Sequence, residues 1–231
     1  MLILAIETST QICSLALLRD NRLLAEWYVQ SGRTHSTGIM LQLTGLLERS
    51  GLDKKELQAI AVNIGPGSFT GLRIGLSLAK ALAIALNIPL VGVASDKVLA
   101  CAGELSDGYI ATLIDAQRDN FYYTLYQCSG TAPLLLGATK VAHVNDIVSE
   151  LIKLNKPVLL AGDYLERLFV EVDNIRILPE HLRLPRATNL GILAAQLLAQ
   201  GEQHSPYTLG INYIKPSEAE IVWESKHNVH N

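Results

Sequence analysis

Hydrophobic periodicity spells one order of elements twice along the chain, and few folds accommodate such a duplication. In the first half, LILAIE, ICSLALL from Ile12 and LLAEWYV alternate with turn residues as three short strands. Ile39, Leu43, Leu46 and Leu47 then share one helical face, with Gly51 placed as a C-terminal stop. Asp53 and Glu56 open a short helix, KKELQ, with capping-box spacing. AIAVNI is a strand, residues 68–86 a helix, PLVGV a strand and residues 97–104 a short closing helix. In the second half YIATLID, a turn at Arg118-Asp119-Asn120, FYYTLYQ and LLLGATKV repeat the three strands. NDIVSELIKL, capped by Asn145 or Asp146, is the next helix, and PVLLAG, DYLERLFVEV, IRIL and ATNLGILAAQLLAQ follow as strand, helix, strand and helix.

This doubled βββαβαβα order predicts two α/β lobes: residues 1–105, rejoined by the tail 205–231, and residues 106–204. Paired lobes with three-stranded meanders suggest the architecture of actin, the large heat-shock ATPases and the sugar kinases (the ASKHA fold). There a nucleotide sits between the lobes, on the first hairpin of each. A net charge of −3 over 231 residues provides no overall electrostatic footprint for nucleic acid, so RNA would be met through a local patch or a partner. Cys13, Cys101 and Cys128 are odd in number and lack C-x-x-C spacing, which suits buried thiols in a reducing compartment. MLILAIETS lacks the basic start of a signal peptide, and Lys80, Asn87 and Pro89 interrupt the most apolar stretch. A soluble cytoplasmic protein with no membrane span is the expectation.

GPGSFTGLRIG, residues 65–75, stands where nucleotide folds place phosphate loops. It fits neither template. A Walker loop needs glycine where Thr70 stands and lysine after it, and the spacing of Gly65, Gly67 and Gly71 is not that of the dinucleotide fingerprint. Packing explains it better. Gly67, Gly71, Gly75, Ala79 and Ala83 fall four apart, a ridge almost without side chains that another backbone can approach closely. Arg73, Ser77 and Lys80 form the helix's polar line, and the apolar residues around them predict burial on more than one side. The helix around Ile39 to Leu47 is expected beside it, the pair together facing a partner protein.

The first hairpin, IETSTQICSLAL, offers Glu7, Thr8, Ser9 and Thr10, residue types that meet phosphate in two-lobed ATPases. Its counterpart, IDAQRDNFYY, offers Asp115 but places Ala116, Gln117 and Arg118 where bare backbone is expected. Glu7 and Asp115 read equally as hairpin-turn acids. LAGDY, residues 160–164, lies where this fold puts its adenosine-facing turn, and it is a common turn type. The six histidines include no H-x-x-x-H or H-E-x-x-H pair; His35 reads as a cap or surface residue. No G-x-S-x-G elbow and no cysteine beside a histidine suggests a nucleophile.

ILAIETST, RTHS, IAVNIGPGSFTGLRIGLSLAKALA, PLVGVASD and IDAQRDNFYY closely resemble the bacterial TsaB (YeaZ) family, densely to about residue 125 and more loosely beyond. INYIKPSEAE is similar to the family's C-terminal P-x-Y-x-R segment, with Asn212 in place of proline and Lys215 in place of arginine. The resemblance implies a partner subunit in threonylcarbamoyl-adenosine modification of tRNA, related to the catalytic subunit TsaD but without its metal-binding histidine pair. It also implies a helical bundle with TsaD, built here from residues 37–49 and 69–86, and the same face in a homodimer of the isolated chain. The contact residues carried over are Ile39, Met40, Leu43, Leu47, Phe69, Leu72, Arg73, Leu76, Ala79, Lys80 and Ala83, with Leu76→Glu and Ala79→Arg as test substitutions. TsaE would join the pair, and tRNA would be met only through the complex. No catalytic residue, metal or cofactor is expected of this chain; ATP or ADP is left as an option in the complex, with Glu7, Thr8, Ser9, Thr10 and Asp115 as a vestigial site. An ATP-dependent kinase of the same fold, and less so a metallopeptidase, are the alternatives.

Overall fold

The computed structural model describes residues 1–30, 38–168 and 172–214. The first sheet is built from β1 (Leu2–Glu7), β2 (Ile12–Arg19), β3 (Arg22–Gln30), β4 (Ala59–Asn63) and β5 (Leu90–Val93), in the order β3-β2-β1-β4-β5. β1 pairs antiparallel with β2 and parallel with β4, so the meander ends at the strand where the crossovers begin. Helices α1 (Ile39–Arg49) and α2 (Phe69–Leu86) lie on one face and α3 (Ser95–Ala100) follows β5. The second sheet has β6 (Asp107–Asp115), β7 (Asn120–Ser129), β8 (Leu134–Leu135), β9 (Lys140–His143), β10 (Val158–Gly162) and β11 (Ile175–Ile177). Its order is β11-β10-β6-β7-β8, with β9 also on β7, which is the first sheet's order repeated. α4 (Val144–Ile152), α5 (Glu180–Arg183) and α6 (Ala187–Ala199) complete the chain's helices among the described residues. The two-lobed ASKHA architecture is thus present with its duplication.

β1 shows why its lobe needs cover on both sides. Leu2, Leu4 and Ile6 point into the layer under α1 and α2, whereas Ile3 and Ala5 point into a layer with Leu190 and Ala194 of α6. A strand apolar at every position is buried on two faces, as parallel sheets are. The helix above the second face therefore comes from the far end of the chain: α6, counted above with the second lobe, packs on β1, β2 and β5 of the first. Its start is held by Glu26, which accepts from the Thr188 N–H and pairs with Arg186. Residues 204–212 return to the same lobe, with His204 N–H bonded to Leu90 O at 2.8 Å and Asn212 N–H to Ile64 O at 2.8 Å. Between the lobes, Tyr126 of β7 donates to Asp96 of α3 across 2.6 Å in a buried setting.

Several local expectations change. DYLERLFVEV forms no helix over its described part; Tyr164 turns left-handed (φ 53°) and Leu165–Arg167 makes one 3-10 turn, while residues 169–171 lie outside the described set. LLLGATKV is two short strands, not one. α4 is capped by His143, whose ring accepts from Asn145 N–H, in place of Asn145 or Asp146. KKELQ is a 3-10 turn with the Asp53–Glu56 capping box intact. His35 and Thr37 fall outside the described residues. α2 is, by length and composition, apolar enough to cross a membrane, but it packs along β4 as a core helix does.

Candidate functional site

Glu7 ends β1 fully buried, and both its carboxyl oxygens accept hydrogen bonds from within the chain. Ser9 donates to it through N–H (2.7 Å) and hydroxyl (2.6 Å), and Asn63 through its amide (2.6 Å). Asn63 in turn accepts from the Gly65 N–H at 2.8 Å and the Ser95 hydroxyl at 2.6 Å, tying hairpin, glycine loop and α3 together. Burial pushes the Glu7 carboxyl up, and the Ser9 and Asn63 bonds partly offset this. The neighbouring Cys13 thiol is pushed to about 11 by burial and by Glu7. Cys13 is no poised nucleophile, since the thiolate is the reactive form.

The glycine loop holds a neighbouring backbone. Ser68 N–H bonds to Ser9 O at 2.6 Å, and the Thr8 hydroxyl donates to Gly71 O at 2.8 Å. A Cβ on Gly67 would overlap the Ser9 carbonyl, and one on Gly71 or Gly75 would overlap Thr8. The ridge is therefore seated on β1's hairpin, which explains its lack of side chains. Thr8 and Ser9 are wholly buried and Thr10 nearly so, with its hydroxyl accepting from Ile12 N–H. Thr8 and Ser9 brace the glycine loop directly and Glu7 does so through Asn63, while Thr10 closes its own turn; the hydroxyls expected to meet phosphate have partners inside the chain.

Asp115 holds the matching place in the second lobe. Its carboxylate accepts from Gln117 N–H (3.1 Å) and pairs with Arg167 (3.1 Å), while its own N–H donates to Asp163 at 2.9 Å. Gln117, Arg118 and Asp119 run left-handed through the turn, at φ 66°, 53° and 60°. Asp163, in the LAGDY turn, is buried, and burial lifts its carboxyl to about 6. Each hairpin acid is engaged in its own lobe.

The helix pair divides the proposed contact residues. Ile39, Leu43 and Leu47 of α1 and Leu72, Leu76, Ala79 and Ala83 of α2 are buried in their own lobe. They are core residues, a correction that follows from the seating of the ridge on β1 and β4. Met40, Phe69 and Arg73 are exposed and Lys80 half-buried. Beside them the structure adds Leu41 (72% exposed), and of the apolar residues around the polar line of α2 it leaves Ile84 open (47% exposed) and Ile74, Leu78 and Leu82 half-buried. Two helices of the first lobe thus leave large aliphatic side chains open to solvent. Asn63 was likewise missed, although an amide closing an apolar strand just before GPG was a readable signal.

Among the described residues no group of three His, Cys, Asp or Glu side chains is placed to hold a metal ion. A shallow groove of about 580 Å³ runs beside the end of α2, between Ile84, Asn87, Pro89, His204 and Tyr207.

The family model described as TsaD, tRNA N6-adenosine threonylcarbamoyltransferase, matches residues 29–223. The chain is 32% identical over 230 residues to the tRNA threonylcarbamoyladenosine biosynthesis protein TsaB of Bacillus subtilis (strain 168), covering 96% of this chain and 98% of that protein. It is 36% identical over 129 residues, 55% of each chain, to TsaB of Escherichia coli (strain K12). The solved structure of YeaZ from Pseudomonas aeruginosa superposes with a TM-score of 0.75 at 28% identity, covering 92% of this chain and 99% of that one. A second, described as an uncharacterized Pseudomonas aeruginosa protein with similarity to peptidase YEAZ, has a TM-score of 0.77, 28% identity and 93% and 99% coverage. Fold and 32% identity over nearly the whole length agree: this chain belongs to the TsaB (YeaZ) family.

Proposed function

We propose that this chain is a non-catalytic subunit of the tRNA threonylcarbamoyladenosine machinery. It pairs with a TsaD-type enzyme through the outer faces of α1 and α2 and holds that enzyme competent for transfer of the threonylcarbamoyl group to the tRNA adenosine beside the anticodon. The observation that carries this is the apolar face of Met40, Leu41, Phe69 and Ile84, which the chain's own core leaves uncovered. The same face serves a homodimer in isolation, TsaE joins the heterodimer, and tRNA is met through the assembled complex in the cytoplasm. Support for an assisting role comes also from the hairpin, whose Thr8 hydroxyl is engaged by Gly71 and whose Ser9 hydroxyl is engaged by Glu7.

Leu76→Glu and Ala79→Arg cannot test this, because both sites are interior and the variants would unfold the lobe. Leu41→Glu and Ile84→Glu can. Each is expected to lower affinity for purified TsaD at least tenfold, to keep the wild-type circular dichroism, and to reduce modified adenosine in tRNA from cells carrying it. Wild-type affinity in both variants overturns the docking face. Threonylcarbamoyl transfer by the chain without TsaD would overturn the assisting role. Micromolar Mg-ATP binding by the isolated chain would favour a kinase-like reading, and stoichiometric zinc or iron a metallopeptidase.

A further inference from the structure

Arg73 projects from the exposed side of α2, yet its guanidinium is not left to wander. Its carbon stands 3.6 Å over the centre of the Phe69 ring, and its Nε donates to the Tyr213 hydroxyl at 3.1 Å. Tyr213 in turn leans on Phe69, ring centres 5.6 Å apart at 39°. The segment bringing Tyr213 there is anchored: Asn212 N–H bonds to Ile64 O, and Leu209 is buried in the first lobe's core. Two side chains, one arriving from the far end of the sequence, thus fix one cation on the open face.

Only Nε is used. Both terminal nitrogens of Arg73 lack an acceptor among the described residues. Because Tyr213 accepts from Nε, its own hydroxyl hydrogen is left to donate. The fork and the hydroxyl together can hold a planar carboxylate. The surrounding charge agrees. α2 contains no Asp or Glu, and the one acid of α1, Glu48, stands beside Arg49 at the helix end, so α2 presents Arg73 and Lys80 on a chain whose net charge is −3. Lys80 lies seven residues on, about 10 Å along the helix axis. Two cations among exposed aliphatic residues do not make a phosphate-backbone track, which takes many contacts. They suit isolated acids on an apolar protein surface, where exclusion of water strengthens the pairing.

We propose that Arg73, held by Phe69 and Tyr213, is a clasp for an Asp or Glu side chain of the partner that docks on α1 and α2. This rests on the docking reading above and adds the chemistry by which the partner is recognised and set in register. Lysine cannot replace the arginine, since it has neither the fork nor the Nε that Tyr213 holds.

Titration calorimetry of the purified full chain with purified TsaD tests it. Arg73→Lys is expected to weaken binding about tenfold, Tyr213→Phe several-fold, and Arg73→Glu at least a hundredfold, each with the wild-type melting temperature. Changing one acid on the partner's facing helices to Lys is expected to restore Arg73→Glu. Wild-type affinity for Arg73→Lys and Arg73→Glu overturns the clasp. Unchanged pairwise affinity with weaker tRNA retention by the assembled complex also overturns it, assigning Arg73 to RNA. If Leu41→Glu weakens binding while the Arg73 variants do not, the clasp falls and the docking face stands; if none of them matters, both fall.

Discussion

Asp163 shows what one buried carboxyl does to the stability of this fold. Its acid form is favoured, with the carboxyl near 6 instead of an ordinary 3.8, because burial penalises the charge more than the Asp115 N–H relieves it. The folded chain thus keeps a proton that the unfolded chain releases, and stability falls as pH climbs through about 4 to 6. The loss is on the order of 2–3 kcal/mol, at about 1.4 kcal/mol per pH unit between the two values. Asp163→Asn retains the acceptor for Asp115 N–H and cannot ionise. Urea unfolding at pH 4.5 to 7.5 should show the variant gaining on the wild type up to about pH 6 and levelling off above it, and curves parallel from pH 4.5 to 6 would refute it. Glu7 acts in the same direction, so a residual slope is expected in both proteins. At this scale the sequence revealed residue types but not their use. Glu7, Thr8, Ser9 and Thr10 stand out as a polar hairpin, whereas their partners Asn63 and Gly71, and the Ser95 that holds Asn63, come from elsewhere in the chain and only the folded contacts identify them.

Among elements, α1 and α2 make opposite demands on glycine. Gly71 lies against the Thr8 carbonyl, whereas Gly45 in α1 has open space where a Cβ would go. Gly71→Ala must push α2 off β1 and is expected to cost several kcal/mol. Gly45→Ala lowers the helix's conformational entropy cost and is expected to add about 0.5–1 kcal/mol. Chemical denaturation of the isolated chain checks both, and similar midpoints for the two variants would contradict the seating described. α2 itself was legible, with Ser68 as its cap and Asn87 closing it in left-handed geometry. Its orientation was not, since a helix apolar on nearly every side gives no periodic clue to which side meets the sheet. Over its described part, the helix expected for residues 163–172 failed differently, because Tyr164 bends the backbone to a left-handed φ ahead of a single 3-10 turn.

In the whole molecule, the duplicated order of elements was readable from periodicity, but the loyalty of α6 was not. ATNLGILAAQLLAQ is apolar enough to serve either sheet, and only packing assigns it to β1, β2 and β5. A cut at residue 105 therefore does not yield a lobe. Residues 1–105 alone leave Ile3, Leu18, Val91 and Val93 bare where Leu190 and its neighbours belong. At about 1.5–3 kcal/mol for each such side chain, the deficit is on the order of 10 kcal/mol, comparable to a domain's entire stability. The fragment is expected to lack dispersed amide resonances by NMR and to acquire them when co-expressed with residues 106–231; a well-dispersed spectrum from the fragment alone would refute this.

α6 also imposes a timetable on synthesis. β5 leaves the ribosome at residue 93, but the helix that must lie over it ends at Ala199, about a hundred codons later. At ordinary translation speeds of about 5–20 residues per second, the nascent sheet waits roughly 5–20 s with an oily side open to the crowded cell. Newborn chains would need a chaperone's shelter through that interval, and a stalled message would release a polypeptide that aggregates.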